Sequence, residues 1–104
     1  MKLLVTVTDR TDASGLASAM LMAGFHSTVA DSCGGFLKRE NSIIMSAIDD
    51  KKVSAALKII QDNTTERIVD VPPDLLLGSF KLPPQVKVSG AVVFTLDLDR
   101  FIKL

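Results

Sequence analysis

The repeat period of the apolar residues switches several times along this chain, and each switch removes whole classes of fold. Leu3, Val5 and Val7 alternate with Lys2, Thr6 and Thr8, the two-residue period of a first strand. Asp12 then stands where a helix N-cap belongs, Leu16, Ala17, Met20 and Leu21 mark one helical face, and Gly24 supplies a C-terminal stop. Phe25 to Ser32, partly β-branched, reads as a second strand broken by Gly34-Gly35. Ser42 to Ile48, carrying Ile43, Ile44, Met45 and Ile48, reads as a third. Asp49-Asp50 opens a second helix at the end where negative charge is favoured. Val53, Ala56, Leu57 and Ile60 then recur at i, i+3, i+4 and i+7, the strongest helical pattern present. Thr64 to Val71 is expected to be a fourth strand, ended by Pro72-Pro73, and Pro83-Pro84 closes the loop that follows. Beyond it, Val86 and Val88, then Val92, Phe94, Leu96 and Leu98, form one long strand with a bulge at Gly90, or two strands joined there.

Strand–helix–strand–strand–helix–strand is the α+β, ferredoxin-like βαββαβ plan, an antiparallel sheet with two helices on one face. A chain of 104 residues accommodates one such domain, spanning 1–104, and no second. The face of the sheet away from the helices needs its own cover, because Leu4, Ala30 and several late-strand apolar residues cannot all face the helices. With 47% apolar residues, packing between subunits is the simplest cover, and a cyclic trimer is the preferred form.

Composition narrows the function. Twelve basic and twelve acidic residues cancel, with no basic cluster of the kind that displaces counterions from nucleic acid. No apolar run approaches membrane-spanning length and none near the N-terminus suits a signal peptide, so a soluble, cytoplasmic protein without membrane insertion is expected. Cys33 is the only cysteine, which excludes an internal disulfide and fits a reducing compartment. One Cys and one His are too few for a zinc site within a subunit, and no metal or cofactor is expected. The acidic pairs do not suggest acid–base catalysis. Asp49-Asp50 suits a helix start, and Asp97 and Asp99 alternate with Leu96 and Leu98 as a solvated face.

Gly34-Gly35-Phe36-Leu37, followed by Asn41, is the candidate binding element. Adjacent glycines let backbone N–H groups approach a phosphate or a base edge, Phe36 adds a flat apolar face, and Asn41 adds donors and an acceptor. The competing reading is a glycine hairpin turn beside a core phenylalanine. His26 is either a ligand contact beside Thr28 or an exposed strand histidine. Leu75-Leu76-Leu77 and Phe80, in the loop 71–84, are either tucked under a neighbouring subunit or form a mobile, partner-facing surface.

The chain resembles the PII-like cyclic di-AMP receptor family from end to end. The marks are Gly24-Phe25-His26-Ser27-Thr28, Gly34-Gly35-Phe36-Leu37 with Asn41, Asp49-Asp50, and Ser89-Gly90-Ala91-Val92-Val93-Phe94 in this order and spacing. The resemblance implies a homotrimer that binds a nucleotide ligand, cyclic di-AMP, in clefts between subunits. It implies a non-enzymatic signalling protein whose loops rearrange and pass the signal to a downstream protein. Carried over by position, Gly24, His26, Ser27 and Thr28 would lie at phosphate or ribose. Gly35, Phe36 and Leu37 would pack on an adenine, Asn41 would bond a base edge, and Ala47 would line the same pocket.

Three of these positions depart from the family pattern, which has Asn at Gly24, Arg at His26 and Gly at Ala47. An Arg is permanently charged and forked for phosphate, whereas His is mostly neutral near pH 7. Losing such a contact costs about 1.5–3 kcal/mol, roughly ten- to hundredfold in affinity. Lys38 or Arg39 could return the charge. These departures keep open a PII-like protein for another nucleotide such as ATP or AMP, or one with a degenerate site. A small acyl-phosphate hydrolase on the same plan would use Arg10, but the glycine-rich cradle it needs is missing.

Overall fold

A computed structural model describes residues 1–34, 39–70 and 84–104, without the side chains of 32–34, 39 and 69. Its elements are β1 (Lys2–Asp9), α1 (Arg10–Met22), β2 (Ser27–Gly34), β3 (Arg39–Ile48), a 3₁₀ turn (Asp50–Lys52), α2 (Val53–Asp62), β4 (Arg67–Asp70), β5 (Gln85–Val88) and β6 (Ala91–Asp97). An antiparallel four-stranded sheet runs in the order β2-β3-β1-β6, and β4 and β5 pair separately as a two-stranded ribbon. The architecture is ferredoxin-like. The fourth place in the sheet falls to β6, however, and the expected fourth strand around 64–71 is the first arm of the ribbon.

Strand alternation splits the main sheet into two faces. Leu4, Thr6 and Thr8 of β1 and Ser42, Ile44, Ser46 and Ile48 of β3 are all buried, and they face the helices. Leu4, expected among the residues that need a separate cover, is fully buried in this core. Ala13, Leu16 and Met20 of α1 and Ala56 and Ile60 of α2 complete the cluster, with Phe25, Val53, Ile59, Ala91 and Val93 packed on its edge. Three members of the expected helix faces lie outside it: Ala17, Leu21, which is 59% exposed, and Leu57, 38% exposed. Buried hydroxyls on this face find partners, as buried polar groups must. Ser46 bonds Ser27 at 2.7 Å, Ser42 donates to Asp31 at 2.8 Å, and Thr8 donates to the Gly90 carbonyl at 2.7 Å.

The helix ends follow ordinary capping chemistry, at positions slightly different from those expected. Asp9 rather than Asp12 caps α1, its Oδ1 accepting the Thr11 N–H at 2.9 Å and the Thr11 hydroxyl at 2.7 Å. At the other end Gly24 has φ of 89°. The Phe25 N–H reaches the Met20 carbonyl at 2.8 Å, and the Gly24 N–H the Leu21 carbonyl at 2.9 Å. That pair of bonds is the Schellman stop, and the residue in it must tolerate the left-handed region. Asp49 precedes the 3₁₀ turn without a side-chain capping bond, while Asp50 pairs with the N-terminal ammonium at 3.0 Å. Among the described residues no helix is long and apolar enough to cross a membrane.

Candidate functional site

Thr28, Asn41 and Ala47 lie on the face of the sheet away from the helices. Leu3, Val5 and Val7 of β1 alternate with the buried set, and register places Val92 beside Val7, Phe94 beside Val5 and Leu96 beside Leu3. Phe94 is 55% exposed, Val92 and Leu96 49%, and Met45 38%. Such a contiguous uncovered apolar surface marks a contact face rather than a finished exterior.

On that face the candidates separate into two groups. Thr28 pairs with Met45, Ser27 with Ser46, and Ala47 with Leu3, so Thr28 and Ala47 share one end of the β2–β3 hairpin. The next step of that ladder brings exposed His26 to the same end, and Gly24 lies there too, because α1 runs back antiparallel to β1. Ser27 belongs to the opposite face, half-buried, with its hydroxyl bonded to Ser46 at 2.7 Å. Asn41 stands at the other end of β3, opposite Asp9 on one side and Ser32 on the other. Six residues separate it from Ala47, roughly 20 Å of strand. The hairpin closes with Gly34 opposite Arg39. Gly35, Phe36, Leu37 and Lys38 lie outside the described residues, as do Leu75-Leu76-Leu77 and Phe80 of the 71–83 segment. On that one face of the protomer, Asn41 stands apart from Thr28 and Ala47.

The fourth sequence mark, Ser89 to Phe94, divides between the faces. Val92 and Phe94 belong to the open face, whereas Ser89, Gly90, Ala91 and Val93 line a cleft of about 350 Å³ against Leu57 and Ile60 of α2. Gly90 is there for space: a Cβ on it would sit 2.6 Å from the Thr65 backbone nitrogen and 2.8 Å from the Thr64 carbonyl carbon.

Charge is concentrated at the Asn41 end. Arg10 opens α1 and reaches Glu40 Oε2 at 2.9 Å and Asp31 Oδ1 at 3.6 Å, one carboxylate on each strand of the hairpin. Arg67, at the start of β4, donates to Thr11 Oγ1 and Asp12 Oδ1, both at 2.9 Å. Asp12 also accepts the Thr65 N–H at 3.1 Å. Nothing in the local sequence flags Arg67, because its partners stand 55 and 56 residues away. At the opposite end Lys2 bonds Asp97. The hydrogen bond and the opposite charge raise the Lys2 ammonium and lower the Asp97 carboxyl from their ordinary values.

This arrangement of strands has known counterparts. A profile of the cyclic-di-AMP receptor family matches residues 1–104, the whole chain. The chain belongs to that PII-like receptor family. It is also similar to a protein of unknown function from Pediococcus pentosaceus ATCC 25745 solved by crystallography. The two share 27% identity and a TM-score of 0.74, over 99% of this chain and 96% of that one. Family membership accounts for the order of the sequence marks, and the likeness in structure extends over nearly the full length.

Proposed function

We propose that this receptor-family member is a cytoplasmic, non-catalytic sensor of cyclic di-AMP. It assembles as a homotrimer, binds the dinucleotide between protomers, and relays binding to a partner protein through its loops. The observation that carries the reading is the split of the candidate residues across one uncovered apolar face. Thr28 and Ala47 lie at one end, with Gly24 and His26 close by, and Asn41 with the Gly34–Arg39 pair at the other. A neighbouring protomer laid against this face would bring one chain's Asn41 end to the other chain's Thr28 end, and the packing would cover Phe94, Val92 and Leu96. Thr28 would then meet phosphate or ribose, Gly35, Phe36 and Leu37 an adenine, and Asn41 a base edge. Ser27 could join them only through its backbone.

Titration calorimetry with cyclic di-AMP, cyclic di-GMP, ATP and AMP tests this directly. Cyclic di-AMP is expected to bind and to outcompete the rest. No heat from it at tens of micromolar overturns the ligand assignment. In the same titration His26→Arg is expected to tighten binding about tenfold or more, because the fork adds a charge-assisted contact. Asn41→Ala is expected to weaken it while leaving assembly unchanged.

The substitution of His for Arg at position 26 favours one second reading, a site tuned to a less charged nucleotide or to weaker binding. Preference for AMP or ATP in the competition would select it. The hydrolase alternative is disfavoured, because Arg10 is engaged by Glu40 and Asp31 rather than presented to a phosphate.

A further inference from the structure

The β2–β3 hairpin and the β4–β5 ribbon are rooted on the same four residues. Asp9-Arg10-Thr11-Asp12 forms the turn from β1 into α1. Toward the hairpin, Arg10 holds Glu40 of β3 and Asp31 of β2, and Asp31 in turn accepts from Ser42 at 2.8 Å. Toward the ribbon, Thr11 and Asp12 hold Arg67, and Asp12 holds the Thr65 N–H. The ribbon's own strands are tied across by Lys87–Glu66 at 3.1 Å and Gln85–Asp70 at 3.1 Å, and its far side rejoins the body at Gly90, pressed on Thr64 and Thr65. The polar root is therefore the side-chain link between this turn and the start of β4.

We infer that the turn Asp9–Asp12 couples the β2–β3 hairpin to the β4–β5 ribbon, with Arg67 as the positioning residue that carries the coupling. Arg67 has a second place to go. Its Nε stands 3.9 Å from Asp9 Oδ2, beyond hydrogen-bond length, and is buried without a hydrogen-bond partner among the described residues. A relative shift of about 1 Å brings that nitrogen onto Asp9. Arg67 then adds Asp9 to its hold on Asp12 and Thr11. Asp9 is joined covalently to Arg10, so a pull from the hairpin through Glu40 or Asp31 acts on the residue that would receive Arg67. A discrete second contact biased from both sides is what a coupling element requires. The ribbon side of the cluster is shielded, with side-chain exposure of 14% for Asp9 and 15% for Asp12, so salt screens it less than it does the exposed Arg10–Glu40 pair. The coupling rests on this chain's own contacts and stands whichever nucleotide binds.

Amide hydrogen exchange in a double-mutant cycle on the full chain tests it. Glu40→Gln weakens the hairpin's hold on Arg10 at an exposed site and is expected to speed exchange of amides in 67–70 and 85–88 about threefold, toward the low end for such networks. In an Arg67→Lys background, which keeps the charge but loses the fork, the same substitution is expected to leave ribbon exchange where Arg67→Lys alone puts it. Asp62→Asn, which removes an exposed ion pair with Lys58 on α2, is expected to leave ribbon exchange unchanged. Ribbon exchange indifferent to Glu40→Gln, an equal increase in both backgrounds, or an equal increase from Asp62→Asn overturns the inference. Should Arg67→Lys fail to fold, Asp12→Asn takes its place in the cycle with the same expectations.

Discussion

The two faces of the four-stranded sheet are built from alternate residues of the same strands, yet they are finished to different degrees. On the helix side Leu4 is 0% exposed and Ile44 and Ile48 1%, and the polar residues among them are short hydroxyls, several with internal partners. On the other side Phe94, Val92, Leu96 and Met45 are left between 38% and 55% exposed. A one-residue step along a strand moves a side chain from one regime to the other. The helix side holds most of the buried core of the protomer, and the open side is left largely uncovered.

Substitutions should therefore separate cleanly by face. Leu4→Ala is expected to cost the protomer about 3 kcal/mol, within the range for buried leucines, read as a lowered urea midpoint at unchanged slope. A loss as small as that of Phe94→Ala would erase the distinction between the faces. Phe94→Asp is expected to leave far-ultraviolet circular dichroism intact while abolishing self-association in light scattering, since a carboxylate on the open face of edge strand β6 cannot be desolvated unpaired. Gly90→Ala is expected to cost about 1–3 kcal/mol, because the crowding atoms are backbone; unchanged thermal stability would mean that the Thr64–Thr65 segment yields freely. The smallest effect belongs to the rim. Asp97, lowered by its bond to Lys2, contributes stability that is present above the ordinary carboxylate range and lost as pH falls through its folded value. Because the pair is exposed, Asp97→Asn is expected to flatten the acid limb of the stability curve only slightly. A shift as large as that of Gly90→Ala would show the rim to be more than solvated surface.

Much of this division could be read before any coordinates. The period-two runs of β1 and β3 and the helical spacing of Val53, Ala56 and Ile60 are local signals, and they led to the right elements and the right class. Pairing is not local. Residues 64–71 and 91–98 both look like strands, and the choice of β6 for the sheet is made by its register against Thr8, Thr6 and Leu4, far away in the chain. Asp9 and Asp12 are both competent caps, and only the entry of β1 into α1 decides between them. Leu16 and Leu21 sit on opposite edges of one helical stripe, so the sequence could not say which edge would be covered. The candidate residues were legible as types. Their separation to opposite ends of β3 follows from counting strand positions, but the opposite facing of Ser27 and Thr28 needed the pairing with Ser46 and Met45. Arg67 carried no sequence signal, as its carboxylate and hydroxyl partners are distant along the chain.

The distance along β3 between Asn41 and Ala47 has a consequence for stoichiometry. In a ring closed through the open face, every chain lends half of two different pockets, so pockets and chains are equal in number and no chain owns one outright. Mixed rings of Asn41→Ala and Thr28→Val chains would then contain some pockets with both lesions and some with neither. Co-assembled defective chains would regain a fraction of full-strength sites that neither possesses in its pure form.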